Sequence, residues 1–105
     1  MLSKKYRLPV QSVIGKTPVT TYRGRYFSVK RFAPTRGLTR VGVVVPASIV
    51  KTSSRRTAYR RALYTAVRMN LELISPGEYL VLIREAYPPQ EVDAIIKELM
   101  NAISR

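Results

Sequence analysis

The sequence contains no cysteine and no histidine. Without cysteine there are no disulfides and no thiolate metal sites. Without histidine the usual general base and the usual zinc ligand are missing, as is every Ser-His or Cys-His catalytic pair. No apolar run approaches the roughly 18 residues of a membrane span. The opening MLSKKYRLP carries charge with no apolar segment behind it, which argues against a secretory signal. The chain reads as cytoplasmic. Acid is also absent from most of its length. Glu72, Glu78, Glu85, Glu91, Asp93 and Glu98 all follow Leu71, whereas 16 of the 19 lysines and arginines precede it. Residues 1–71 therefore carry +16 and residues 72–105 carry −3, for a net charge of +13. Solubility alone does not require so complete an exclusion of acid. An all-basic front on an ordinary rear points to a nucleic-acid-binding face on a normal domain.

A length of 105 residues suits one domain spanning 1–105, and 46% hydrophobic residues suffice for a modest core. There is no internal repeat. Residues 1–8 read as a basic arm. Residues 9–14 predict a short helix or turn, with Pro9 first and Val10, Val13 and Ile14 on one side. Residues 19–22 and 25–32 (RYFSVKRF) predict strands, the second richer in aromatic and β-branched side chains. Residues 33–39, with Pro34 and Gly37, predict a loop. Residues 40–45 (RVGVVV) are apolar on both faces, the mark of a central strand. A helix follows, capped by Ser53 or Ser54 and running to about Leu73. Pro76-Gly77 makes a turn before a strand over 79–84. Pro88-Pro89 opens a last helix that turns Val92, Ile95, Ile96, Leu99 and Ile103 to the core. This order predicts an α+β chain folded as an α/β sandwich.

The segment KTSSRRTAYRRALYTAVR, residues 51–68, has six basic residues and no acid. Tyr59, Ala62, Leu63, Ala66, Val67 and Asn70 form its packing stripe. Arg56, Arg60, Tyr64 and Arg68 form another, with Arg61 beside it. Arginine gives fork-shaped, permanently charged contacts to phosphate. Lys51, Arg55, Arg56, Arg60 and Arg61 also lie near the positive end of the helix dipole, where an anion is favoured. The plainer reading is a solvated cationic face. It is weakened because no acid stands four residues away to pair with these arginines. Gly15-Lys16-Thr17 resembles the end of a phosphate loop but lacks the upstream glycine and the preceding strand. A DNA-reading helix would need a partner helix where RVGVVVP reads as strand. The six acids are spaced as surface charges, so no paired carboxylates offer general acid-base chemistry. No catalytic residue is expected in the chain.

In these segments the chain resembles the protein subunit of bacterial ribonuclease P along nearly its whole length. KKYRLP is similar to that family's basic K-x-x-R-L opening. VQSVIGK, YFSVKRF, RVGVVV, the basic helix and PGEYLVLIR then follow in the family's order. The hallmark helix start, R-N-x-x-(K/R)-R after an earlier lysine, stands here as Lys51 and RRTAYRR from Arg55 to Arg61. The departures are specific. The family's asparagine is Arg56, and its next basic position is Tyr59. A later arginine falls at Leu63, a Lys-Lys pair at Ala47-Ser48, and a glycine at Val50. Its aromatic pair is Val10 and Ile14.

The resemblance implies a ribosomal-S5-domain-2-like fold: an antiparallel or mixed four-stranded sheet with helices on it and a left-handed crossover. It implies an RNA-binding subunit that assists a catalytic RNA in removing the 5′ leader of precursor tRNA. Mg2+ would act through that RNA, with none assigned to the protein. RNA binding would fall to Lys51, Arg55, Arg56, Arg60, Arg61 and Arg68. A leader cleft would comprise Val10, Ile14, Ser28, Lys30, Val44, Tyr59 and Leu63. The partners would be the ribonuclease P RNA and precursor tRNA, with no membrane and a monomeric protein. Tyr59 and Leu63 stay open between the packing stripe and the cleft rim. The alternative function is a structural ribosomal or general RNA-binding protein.

Overall fold

Residues 2–34 and 37–104 are described by the structure, a computed structural model. Four strands, β1 (Thr20–Arg23), β2 (Phe27–Phe32), β3 (Thr39–Val44) and β4 (Gly77–Ile83), form one sheet in the order β1-β2-β4-β3. β1 and β2 pair antiparallel, as do β2 and β4, while β3 and β4 are parallel. The parallel pair is joined through helix α1 (Ser53–Met69), and helix α2 (Val92–Ile103) closes the chain. The mixed four-stranded sheet agrees with the expected fold class. Part of the predicted 33–39 loop, Thr35 and Arg36, lies outside the described residues. Among the described residues no helix is long and apolar enough to cross a membrane.

Strand periodicity divides the sheet into two faces. Phe27 and Val29, Tyr79, Val81 and Ile83, and Val41 and Val43 point one way, into the main core. α1 covers them with Tyr59, Leu63 and Val67, and α2 covers them with Ile95, Leu99 and Ile103. Leu63, Val67 and Leu99 have no exposed surface. Truncating any of the buried leucines or isoleucines to alanine leaves a cavity costing about 2–5 kcal/mol. The opposite face carries a small cluster of Leu8, Val13 and Phe32, with Leu80 against it.

β3 is an edge strand, not the central strand its apolar faces suggest. Its outer edge is occupied instead by the N-terminal segment and by α1. Leu8 N–H donates to Val41 C=O at 2.9 Å, and Val43 N–H donates to the Tyr64 hydroxyl at 3.0 Å. Close approach of the segment requires Gly42, where a Cβ would lie 2.6 Å from Leu8 O. The predicted basic arm is therefore pinned: Leu2 and Leu8 are buried, with a 3-10 turn at Lys4–Tyr6 between them. Tyr64, expected on the solvent stripe, is buried because it seals this edge.

α1 ends earlier than predicted, at Met69. Asn70 leaves helical geometry, and a 3-10 turn at Leu71–Leu73 follows. Its N-cap is Thr52 rather than a serine, and no side chain caps it. Arg56 Nη1 instead folds back to the carbonyls of Val50 and Lys51, both at 2.9 Å, and so ties down the helix entry. At the other sheet edge, β1 is exposed throughout. The Tyr22 ring packs beside Phe27, and its hydroxyl donates to Glu98 on α2. That bond raises the Tyr22 pKa above the usual phenol value.

Candidate nucleic-acid interface

The first candidate surface is the outer side of α1. Lys51, Arg55, Arg61 and Arg68 are exposed, and Arg56 and Arg60 are half-buried. Arg60 Nη2 contacts only the Thr57 hydroxyl, at 3.3 Å. Among the described residues the only ion pair is Arg40 with Glu78, at 3.0 Å. The cations of α1 therefore have no carboxylate partner there. A helix normally relieves such a charge run with acids one turn away. Here the repulsion is left for an outside anion to neutralise.

The second surface is the open face of the sheet. Val44 stands in register with Leu82, Leu82 with Ser28, and Ser28 with Arg23, so these four share one row. Leu80, Lys30 and Thr21 share the next. A groove of about 210 Å3 is lined by Thr21, Arg23, Ser28, Lys30, Leu82 and Arg84. A second, of about 230 Å3, adjoins it through Lys30 and runs under Val10, Val13, Ile14, Lys16 and Pro18, over Phe32 and Leu80. Both segments mix charge with apolar surface: Arg23, Lys30 and Arg84 line the first, and Lys16 and Lys30 stand among the apolar side chains of the second. Val13 alone of its turn is buried, while Val10 is 37% and Ile14 71% exposed. Ile14 escapes the expected packed side because the 3-10 turn stops at Val13 and Ile14 is extended. Two large apolar side chains are left at the groove's rim.

Five of the seven expected cleft residues thus meet on this face: Val10, Ile14, Ser28, Lys30 and Val44. Tyr59 and Leu63 do not. Both lie beneath α1 on the far side of the sheet, and Leu63 is fully enclosed. Tyr59 stacks on Tyr87 with ring centroids 4.4 Å apart. Its hydroxyl donates to Tyr87 C=O and accepts from Tyr87 N–H. What little of Tyr59 is exposed borders a separate groove of about 280 Å3 between α1 and the turn before α2, with Ala58, Pro89 and Val92. Packing periodicity was thus the correct guide at these two positions. Arg23 and Arg84 were not foreseen in the groove. Strand parity places Arg23 beside Ser28, but only the pairing register shows that the two strands align there. Among the described residues no three acidic side chains gather where they could hold a metal ion.

No protein-family model and no curated protein matches the sequence. Among solved structures, the chain is similar to the ribonuclease P protein of Staphylococcus aureus. The identity is 15%, the TM-score 0.77, and 92% of this chain and 94% of that one are covered. It is also similar to the ribonuclease P protein of Thermotoga maritima, at 20% identity and a TM-score of 0.74, with 92% and 94% covered. For that protein in complex with 1-(4-fluorophenyl)-2-thiourea the values are 19% and 0.76, with 94% and 98% covered. At such identities the likeness establishes the fold: α+β, with a four-stranded mixed sheet and two helices.

Proposed function

We propose that this chain is the RNA-binding protein subunit of a ribonuclease P, acting in the cytoplasm with a catalytic RNA to remove the 5′ leader of precursor tRNA. The observation that carries the reading is a run of unpaired cations along α1, set in a fold shared over more than nine-tenths of the chain with ribonuclease P proteins. The exposed face of α1, with Lys51, Arg55, Arg61 and Arg68, binds the catalytic RNA through its phosphates. Arg56 holds the helix entry, and Arg56 and Arg60 both add charge. The open groove takes the single-stranded leader. Bases rest against Val10, Ile14 and Leu80, and Lys30, Arg23 and Arg84 meet the sugar-phosphate chain.

Bond cleavage is assigned to the RNA, whose bound Mg2+ would supply water activation and charge stabilisation, while this chain's own residues bind and position the two RNAs. The protein's part is electrostatic. Its charge of +13 screens the repulsion between two polyanions and so lowers the divalent ion needed to bring them together. The test is reconstitution. Added to a bare ribonuclease P RNA at low magnesium, the purified chain should switch on cleavage at the 5′ end of the mature tRNA. Protein rigorously freed of RNA should cleave nothing. Binding without activation would leave a general RNA-binding protein, and cleavage by protein alone would overturn the assignment of chemistry to the RNA.

A further inference from the structure

α1 and the open groove lie on opposite faces of the sheet, so an RNA reaching from one to the other must pass an edge. The β3 edge carries a groove of about 400 Å3 lined by Lys4, Arg7, Leu8, Pro9, Arg40 and Tyr64. Its residues come from three elements. Lys4, Arg7 and Pro9 belong to the pinned N-terminal segment, Arg40 to the start of β3, and Tyr64 to α1. Arg60 and Arg68 flank Tyr64 one helical turn to either side. The acid at this edge is Glu78. It is 1% exposed, with one carboxylate oxygen bound to Arg40 and the other buried without a hydrogen-bond partner, so it offers no exposed carboxylate to the groove. Arg7 is held by its backbone, which bridges to Val41, so its side chain is not needed to secure the strand edge. The Arg7 Nε is buried and has no hydrogen-bond acceptor, an expensive state for a charged donor. Lys4 and Arg7 have no carboxylate partner among the described residues.

We propose that this edge groove is a phosphate seat for the RNA backbone, with Lys4 and Arg7 as its principal contacts. It joins the α1 surface to the open groove in one cationic band around β3. The ligand is a phosphodiester because the lining offers fixed positive charge and donors, with no aromatic face open for a base. Tyr64 is buried and its hydroxyl is already engaged by Val43. Arg40 contributes less, since Glu78 holds one of its nitrogens.

The inference rests on the ribonuclease P reading, and the experiment separates the two. Binding to the catalytic RNA is measured across a salt titration for the wild type, the Lys4→Gln/Arg7→Gln double variant and Arg61→Gln. Each phosphate that goes unneutralised should flatten the log K against log salt slope by roughly 0.7–0.9. The double variant should flatten it by about twice that, and Arg61→Gln by about once. The melting temperature should stay unchanged, since Leu8 N–H still reaches Val41. If folding suffers, Lys4→Gln alone, at an exposed side chain, carries the test with the slope change of one phosphate. A double variant with the wild-type slope, beside an Arg61→Gln variant whose slope falls, overturns the edge seat and leaves the functional reading intact. A wild type that binds an unrelated RNA of equal length as tightly overturns the functional reading. The edge seat is then judged by the same slopes on that RNA.

Discussion

Tyr59 and Tyr87 show how much one hydroxyl can decide. The Tyr59 hydroxyl satisfies both backbone groups of Tyr87, at 2.8 and 2.9 Å, in a buried site. Tyr59→Phe keeps the ring stack and leaves both groups without partners. Each unsatisfied buried group costs about 1–3 kcal/mol, so a loss of about 2–6 kcal/mol is expected in denaturant unfolding. Affinities for precursor with and without leader should fall together or not at all, because Tyr59 is remote from the open groove. The Tyr87 hydroxyl is the opposite case: it is buried with no partner. Burial first, and then the neighbouring Tyr59, push its pKa up from 10.0 to about 12. The folded chain holds this proton more tightly than the unfolded chain. The resulting stability is therefore complete below pH about 10 and is lost as the pH rises through about 12. Tyr87→Phe should be neutral or slightly stabilising at pH 7 and should lose less stability than the wild type across that alkaline window. Equal losses for the two proteins would mean that burial does not hold the hydroxyl proton and that water reaches the group.

At the scale of elements, α1 separates binding from stability. Arg61 and Arg68 are exposed and unpaired, so Arg61→Gln/Arg68→Gln should change unfolding free energy by no more than about 0.5 kcal/mol. RNA affinity should nonetheless fall, and the salt slope should flatten by roughly 0.7–0.9 per phosphate. Tyr64→Phe should do the reverse. It removes the acceptor of Val43 N–H at the β3 edge and costs about 1–3 kcal/mol with the salt slope intact. Tyr64 also shows how far a local pattern reaches. Helical periodicity gave its angular position, one turn from Arg60 and Arg68, but not the width of the buried arc. That width is set by β3 and the N-terminal segment wrapping the helix. The strand RVGVVV was legible as a strand and as apolar on both faces. Its place at the sheet edge was not, because the cover on one side is Leu8, more than thirty residues away in the chain. Packing faces that follow a local period, such as Leu63, Val67, Ile95 and Leu99, were readable from the residues alone. Arg23 and Arg84 became groove residues only through long-range register, which no local pattern carries.

The whole molecule measures 35 × 28 × 25 Å, and two of its three proposed RNA surfaces, α1 and the open groove, lie on opposite faces of one sheet. The Debye length at physiological salt is about 8 Å, so charges across that thickness are largely screened from one another. Rigid secondary structure also separates the surfaces, with a fully packed core around Val41, Val81 and Leu63. The two surfaces should therefore bind independently and simultaneously. Arg61→Gln should weaken the holoenzyme's assembly and leave the ratio of precursor to mature tRNA affinity as it is. Lys30→Ala, at the junction of the two groove segments, should lower affinity for precursor with a leader and leave mature tRNA binding unchanged. Combined in one chain, the two losses should add to within about 0.5 kcal/mol, as expected for distant sites without shared partners. Equilibrium binding of the reconstituted complex to both substrates measures all three variants. A strong departure from additivity would mean that the faces communicate through the sheet. Equal loss of precursor and mature tRNA in Lys30→Ala would move the leader out of the open groove.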